Sequence, residues 1–282
     1  MRIFELIRYS GGLLRGRRIS AALVCMLPFI AGLLLRSAEG FVYTMLVYFG
    51  GIEPLGLFSG RNPAVPLTAS AFTIVRWAAC APLGYVTAYR LSAICGCVPE
   101  RPLFDVLTED HAIRRSIAAQ FWVKLFSLLA LVPAVFFGIT AYSLFVSGRG
   151  QGLPALHAAV LTVMSLGIWA ALKLSLAAVP FLLVRYPGSP ALRTVLYSLR
   201  FMSGRRSILL KLYLIFLPES LTAVAAPFAA ARIKTAFALS IDIFTKEEDY
   251  LAGTDTDRGH RRTDRPAKLP RRKKGSFKTA PH

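Results

Sequence analysis

Residues 189–204 read SPALRTVLYSLRFMSG and lie between two long apolar blocks of the chain. Ser189 can cap the start of a helix, Pro190 suits the first helical position, and Gly204 can adopt the left-handed conformation that ends one. Apolar residues recur between these ends at helical spacing, whereas the arginines of the stretch fall outside the apolar stripe. The stripe consists of Leu192, Val195, Leu196, Leu199 and Met202. We therefore predict an amphipathic helix that lies along the cytoplasmic surface of a membrane.

The composition of the chain is typical of a membrane protein. Of its 282 residues, 55% are hydrophobic, and the mean hydropathy is +0.52. A chain this apolar must place most of its surface against lipid or other membrane helices. The four cysteines lack the spacing of a zinc site or a disulfide framework, so we expect no metal and no cofactor.

Apolar runs divide the chain into about six predicted crossings. The first, residues 19–35, follows a basic segment and lacks a cleavage site after it, which favours a retained helix over a signal peptide. Further crossings are predicted at residues 67–89, 121–146 and 154–184, and residues 207–244 are interpreted as two short ones.

Residues 41–49 leave one question open. Glu39 and Glu53 bracket this segment, and a crossing needs about 20 apolar residues. The sequence alone does not decide whether the segment is embedded in the membrane.

Lysine and arginine alternate between rich and poor segments of the chain. The rich segments are residues 1–18, with five, 90–120, with four, and 185–206, with five. The poor segments are residues 36–66, with two, and 147–153, with one. By the positive-inside rule the rich segments face the cytoplasm, and the C-terminal segment, with eleven from Lys246 to Lys278, belongs there as well. Both termini are therefore predicted to be cytoplasmic, which requires an even number of crossings.

Three segments follow from these patterns. Residues 1–18 form a basic N-terminal segment, residues 19–246 form the transmembrane helical domain, and residues 247–282 form a basic cytoplasmic tail that we predict to be disordered. The predicted fold class is an all-α polytopic transmembrane bundle. The basic loops and the tail predict contact with anionic lipid headgroups, and nucleic acid is the weaker reading because the tail leaves the membrane directly.

The amphipathic stretch also carries a family resemblance. Ser198, Met202 and Gly204 form an S-x-x-x-M-x-G signature, followed by basic residues and an apolar segment. This pattern resembles an uncharacterised family of bacterial polytopic membrane proteins, known as a domain of unknown function. The resemblance implies a protein of the bacterial cell membrane and supplies no activity.

Three charged residues lie inside apolar runs: Arg76, Lys173 and Glu219. At 1.5 Å per helical residue, each is on the order of 20 Å above the predicted cytoplasmic boundary, so the three can share one layer. Charges in a bilayer usually pair or face a cavity, which makes this layer a candidate solute site. The alternative is a structural ion pair of Glu219 with Arg76 or Lys173, or a position of Glu219 at the turn of a short hairpin.

No catalytic motif accompanies these charges. The sequence has no nucleophile elbow, phosphate loop or H-E-x-x-H, and its four histidines lie far apart. We therefore expect a non-enzymatic scaffold or assembly partner with a membrane-protein partner. The alternative is a transporter or channel-like permease for a small, anionic solute, which would use the charged layer.

Overall fold

The computed structural model describes residues 3–50, 64–108, 110–146, 153–222 and 225–261, and every regular element in these ranges is an α-helix. The elements are α1 (Ile3–Leu13), α2 (Arg18–Gly50), α3 (Ala64–Ile94), α4 (Leu103–Thr108), α5 (Asp110–Val146), α6 (Leu153–Leu176), α7 (Val179–Arg185), α8 (Ala191–Phe201), α9 (Arg206–Ser220) and α10 (Ala226–Arg261). The predicted all-α class is confirmed. The chain divides into two compact units, Met1–Asp242 and Ile243–His282.

Three helical spans are long and apolar enough to cross a membrane: Arg18–Phe49, His111–Val146 and Leu153–Arg185. Their lengths of 32, 36 and 33 residues exceed the roughly 20 residues that a bilayer requires. In the most apolar window of His111–Val146 only 6% of the residues are buried. Such an apolar and unburied surface is suited to lipid, and these spans indicate a membrane protein.

The prediction of about six crossings is not confirmed, because within the described ranges only those three spans are both long enough and apolar enough to cross a membrane. Helix α9 has 15 residues and is therefore about 22 Å long, shorter than the hydrocarbon core of about 30 Å. Residues 41–49 belong to α2, which continues to Gly50 without a break. That segment extends the first span and makes no separate crossing.

The long helices pack as neighbours in pairs. Helix α2 packs along α3, and α5 packs along α6. Thr87 of α3 donates a hydrogen bond to the Val24 carbonyl of α2 at 3.0 Å, and Trp169 of α6 donates one to Ser127 of α5 at 3.2 Å. Hydroxyl groups that bond across helices hold pairs together where lipid offers no hydrophobic driving force.

The buried core lies at one end of the bundle, where α2 begins, α3 ends and α7 ends. Residues 235–242 of α10 are buried on every side of the helix, which is typical of a helix enclosed by protein. The Cys95 thiol lies 3.7 Å from the Thr235 carbonyl oxygen, and Phe181 meets Phe237 edge to face at 5.6 Å. Helix α10 therefore passes the ends of α3 and α7. We call α1, α8, α9 and residues 226–242 of α10 the platform.

Helix α8 lies within the predicted stretch of residues 189–204, but it buries a different face from the one predicted. It begins after Pro190, and Gly204 has a φ of 82°, so the predicted left-handed position is confirmed. Ser189 makes no capping bond; its hydroxyl lies 2.7 Å from the Thr194 hydroxyl. The buried residues of α8 are Thr194, Val195, Ser198 and Phe201.

The predicted apolar stripe is correspondingly wrong in part. Leu192 is 37% exposed and Leu196 is 49% exposed, whereas Met202 is buried as expected. Helix α8 packs against α5, α6 and α7. The small Thr194 and Ser198 side chains let those helices approach closely, so packing rotates the buried face away from the leucines.

Helix α10 also continues further than predicted. It is helical to Arg261, although we predicted disorder for residues 247–282. Extending an existing helix adds one hydrogen bond per residue without a new nucleation step. A helix can therefore continue into a polar segment, and hydropathy does not predict such a continuation. Residues 262–282 lie outside the described residues.

Candidate functional site

The three charges of the predicted layer have different surroundings. Glu219 lies in the last turn of α9 and accepts hydrogen bonds from Nη1 of Arg232 at 3.0 and 3.1 Å. The Arg232 guanidinium also lies over the Phe216 ring, 4.7 Å from its centroid. The ion pair predicted for Glu219 exists with Arg232, and the predicted partners Arg76 and Lys173 were wrong.

Lys173 has an aromatic neighbour in place of an acid. Its ammonium lies 5.5 Å from the centroid of the Trp169 ring, and Lys124 of α5 lies 5.7 Å from the centroid of Trp77. An aromatic face attracts a cation through its quadrupole and needs no counter-ion. Arg76 is half-buried near the middle of α3, and neither cavity described below is lined by Arg76 or Lys173.

Glu219 instead belongs to a cavity of about 380 Å³ at the platform. Charged residues on its wall are Arg18, Glu219 and Arg232, and the remaining lining residues are Gly11, Leu14, Phe228 and Ala231. Arg18 is the first residue of α2, so the cavity lies where the first span begins. Glu219 is therefore beside the basic N-terminal segment.

A second cluster centres on Arg115 of α5, which holds the turn between α7 and α8. Its guanidinium donates to the carbonyl of Tyr186 at 2.9 Å, to that of Ser189 at 2.8 and 3.1 Å, and to that of Pro187. Three carbonyls that no helix satisfies thus share one planar donor. This turn and α8 border a cleft of about 300 Å³, lined by Tyr186, Ser189, Arg193, Thr194 and Tyr197.

A further polar group lies where α10 passes α7. Arg185 and Asp242 form an ion pair at 3.5 Å. Near it, the hydrogen bond with Cys97, followed by burial, raises the pKa of the Cys95 thiol. A thiol with a raised pKa stays protonated and is a poor nucleophile at neutral pH. The described residues contain no group of three His, Cys, Asp or Glu that could hold a metal ion.

The signature residues of α8 have structural environments. The Ser198 side chain is fully buried and donates to the Val195 carbonyl at 2.7 Å. Met202 is 2% exposed, and nothing lies within 4 Å of a Cβ built on Gly204. Ser198 bonds the backbone of its own helix and lies on the buried face of α8, although it is not one of the residues of the predicted apolar stripe.

Arg18, Arg115 and Arg232 were missed as site residues by sequence reasoning. Arg18 and Arg115 were counted as positive-inside charges, which gives the side of the membrane and no partner. Arg232 interrupts an apolar run as Glu219 does, and they are 13 positions apart. The sequence signal that could have identified the Glu219–Arg232 pair is the presence of opposite charges on the two arms of the predicted short hairpin.

No family model, curated protein or solved structure matches this chain. The resemblance to a bacterial membrane family therefore stays a prediction.

Proposed function

We propose that the chain is a non-enzymatic, multi-pass protein of the bacterial cell membrane that serves as a scaffold or assembly partner, with both termini in the cytoplasm. The observation that carries this proposal is the pairing of Glu219 with Arg232. It removes the acidic member from the charged layer that a permease would use. Other polar contacts of the described core join helices or hold a turn: Thr87 bonds α2, Trp169 bonds α5, and Arg115 bonds the turn after α7.

The positions of Glu219 and α10 favour four crossings over six. Glu219 shares a cavity with Arg18, at the beginning of α2, and α10 passes the ends of α3 and α7. In a bundle that alternates direction, these three ends lie on one side of the membrane. We place the three apolar spans, α2, α5 and α6–α7, across the membrane together with α3, whose 31 residues are long enough to cross although it is not one of those three spans. The platform then lies on the cytoplasmic side, in agreement with the positive-inside rule.

An assembly partner would meet the platform at α8. Leu192, Arg193 and Leu196 of this helix are exposed, and the adjoining cleft has two tyrosine rings on its wall. Tyrosine and arginine are enriched where proteins associate. Arg115 fixes the turn that leads into α8, which gives this surface a defined shape.

Photocrosslinking in intact membranes tests the proposal. A photoreactive amino acid at Arg193 should give a discrete protein adduct, whereas the same amino acid at Val132 should give lipid adducts only. Val132 is the matched control because it is also exposed, at 59%, but lies on the lipid-suited surface of α5.

The permease alternative predicts a different result. Reconstituted vesicles would then carry small anions at a rate that Lys173→Ala reduces, since Lys173 would be the cation in the path. Lys173-dependent flux, together with no protein adduct from any exposed position of α8, would overturn the scaffold proposal.

A further inference from the structure

The cavity between α1, the start of α2 and the α9–α10 corner has an excess of positive charge. Its wall carries two guanidinium groups and one carboxylate. The carboxylate of Glu219 already accepts two hydrogen bonds from Arg232. Within the described residues, Arg18 has no ion pair, and it lines this cavity from an exposed position at the start of α2.

Arg232 is also prepared to bind a second acceptor. Glu219 and the Phe216 ring fix the plane of its guanidinium, and only Nη1 is used in the ion pair. A guanidinium has five N–H donors in a rigid fork, a geometry that matches phosphate oxygens. Arg18 and a positioned Arg232 therefore both contribute guanidinium donors to the wall of one cavity.

The rest of the wall selects for an amphiphile. Leu14, Phe228 and Ala231 are apolar lining residues, and Phe228 is 41% exposed. A ligand that places a phosphate at the arginines and a hydrocarbon against Phe228 would satisfy both parts of the wall. The volume of about 380 Å³ is within the range of small-ligand sites and leaves room beyond a free phosphate ion.

We infer that this cavity binds the phosphate of an anionic phospholipid from the cytoplasmic leaflet, with Arg18 and Arg232 as the donors. The inference rests on the proposed cytoplasmic position of the platform. It differs from general attraction of the basic loops and tail to lipid, because it assigns one lipid to one built site. Basic pockets beside membrane helices on the cytoplasmic side hold anionic headgroups in this way.

Native mass spectrometry of the full-length protein in detergent, titrated with phosphatidylglycerol, measures the site. Arg18→Gln should weaken binding of the first lipid about tenfold, the usual effect of removing one charged hydrogen bond. Arg15→Gln is the matched control: Arg15 precedes Arg18 by three residues, carries the same charge and is exposed like Arg18, but it does not line the cavity. This substitution should leave that affinity unchanged.

Glu219→Gln gives an effect of opposite sign. Removing the carboxylate that faces the phosphate should tighten phosphatidylglycerol binding by on the order of threefold. A merely structural pair would instead show a lower melting temperature with no gain in affinity. Melting temperatures of all variants without added lipid separate misfolding from lost binding.

Three results would overturn the inference. Equal weakening by Arg18→Gln and Arg15→Gln would mean general attraction to the basic segment. If phosphatidylcholine bound as tightly as phosphatidylglycerol, the site would not recognise the net charge of the headgroup. Displacement of the lipid by millimolar inorganic phosphate would mean that the acyl chain adds nothing to binding and that the cavity is a free-phosphate site. Failure of the α8 crosslinks would leave this binding unaffected, so the two proposals fail separately.

Discussion

Gly204 is the residue at which backbone conformation decides what is allowed. Its φ of 82° lies in the left-handed region, and the space around a Cβ there is open. The cost of Gly204→Ala therefore comes from backbone strain alone and should be about 1 kcal/mol of unfolding free energy. Thermal unfolding in detergent measures it.

Gly84 provides the control for that substitution. It also has open space around a Cβ but has no positive φ and lies within α3. Gly84→Ala should be neutral or stabilising because alanine favours a helix. Equal losses at the two glycines would show that space and not φ determines the effect.

Arg115 of α5 stabilises a turn outside its own helix, the one between α7 and α8. Arg115→Ala leaves the carbonyls of Pro187 and Ser189 without their donor and removes one of the donors to Tyr186, whose carbonyl still accepts from Ser189. We expect a loss of about 2 kcal/mol of unfolding free energy. Arg114→Ala, an exposed neighbour on α5, should cost little. Arg115→Lys should recover only part of the loss, because an ammonium cannot copy the planar fork. Full recovery by lysine would contradict this account.

At the scale of elements, α8 shows how packing overrides periodicity. Val195 is fully buried, whereas Leu196 is 49% exposed, although both belong to the predicted stripe. Val195→Glu should therefore cost more than about 3 kcal/mol by burying an unpaired carboxylate. Leu196→Glu should cost about 1 kcal/mol or less.

The comparison between those two variants is direct, because both introduce glutamate into the same helix one residue apart. Melting temperatures in one detergent give the ranking. If Leu196→Glu were the more damaging variant, the buried face of α8 would be the one that the sequence pattern predicted.

The α9–α10 corner distinguishes four crossings from six at the scale of the whole molecule. Leu221 is 78% exposed just after α9. With four crossings, Leu221→Cys in intact cells should be protected from a membrane-impermeant thiol reagent and become labelled after lysis. Val146→Cys, at the outer end of α5, should be labelled in both conditions. Labelling of Leu221→Cys in intact cells would support the six-crossing arrangement.

The tail should act separately from the folded part. The unit Met1–Asp242 is compact by itself, so deleting residues 252–282 should leave membrane insertion and melting temperature unchanged. The deletion should weaken association with anionic vesicles, since residues 252–282 hold all ten lysines and arginines that follow Lys246. A full-length chain with glutamine at those basic positions is the control for length. Loss of folded protein on deletion would show that the tail stabilises the fold.

The sequence determined the properties that depend on composition and local conformation. Hydropathy predicted an all-helical membrane protein with long spans, and Pro190 and Gly204 marked the neighbourhood of the ends of α8. These features follow from solvent preference and from allowed φ values, which each segment carries by itself.

Only the tertiary structure decided which residues contact one another. It paired Glu219 with Arg232, directed Arg115 to the turn after α7, and enclosed residues 235–242 of α10 in protein instead of lipid. An apolar run has the same composition in either surrounding, and a buried charge can be compensated by any opposite charge within reach. Which surrounding and which charge are found depends on distances between helices, and these are fixed only when the helices pack.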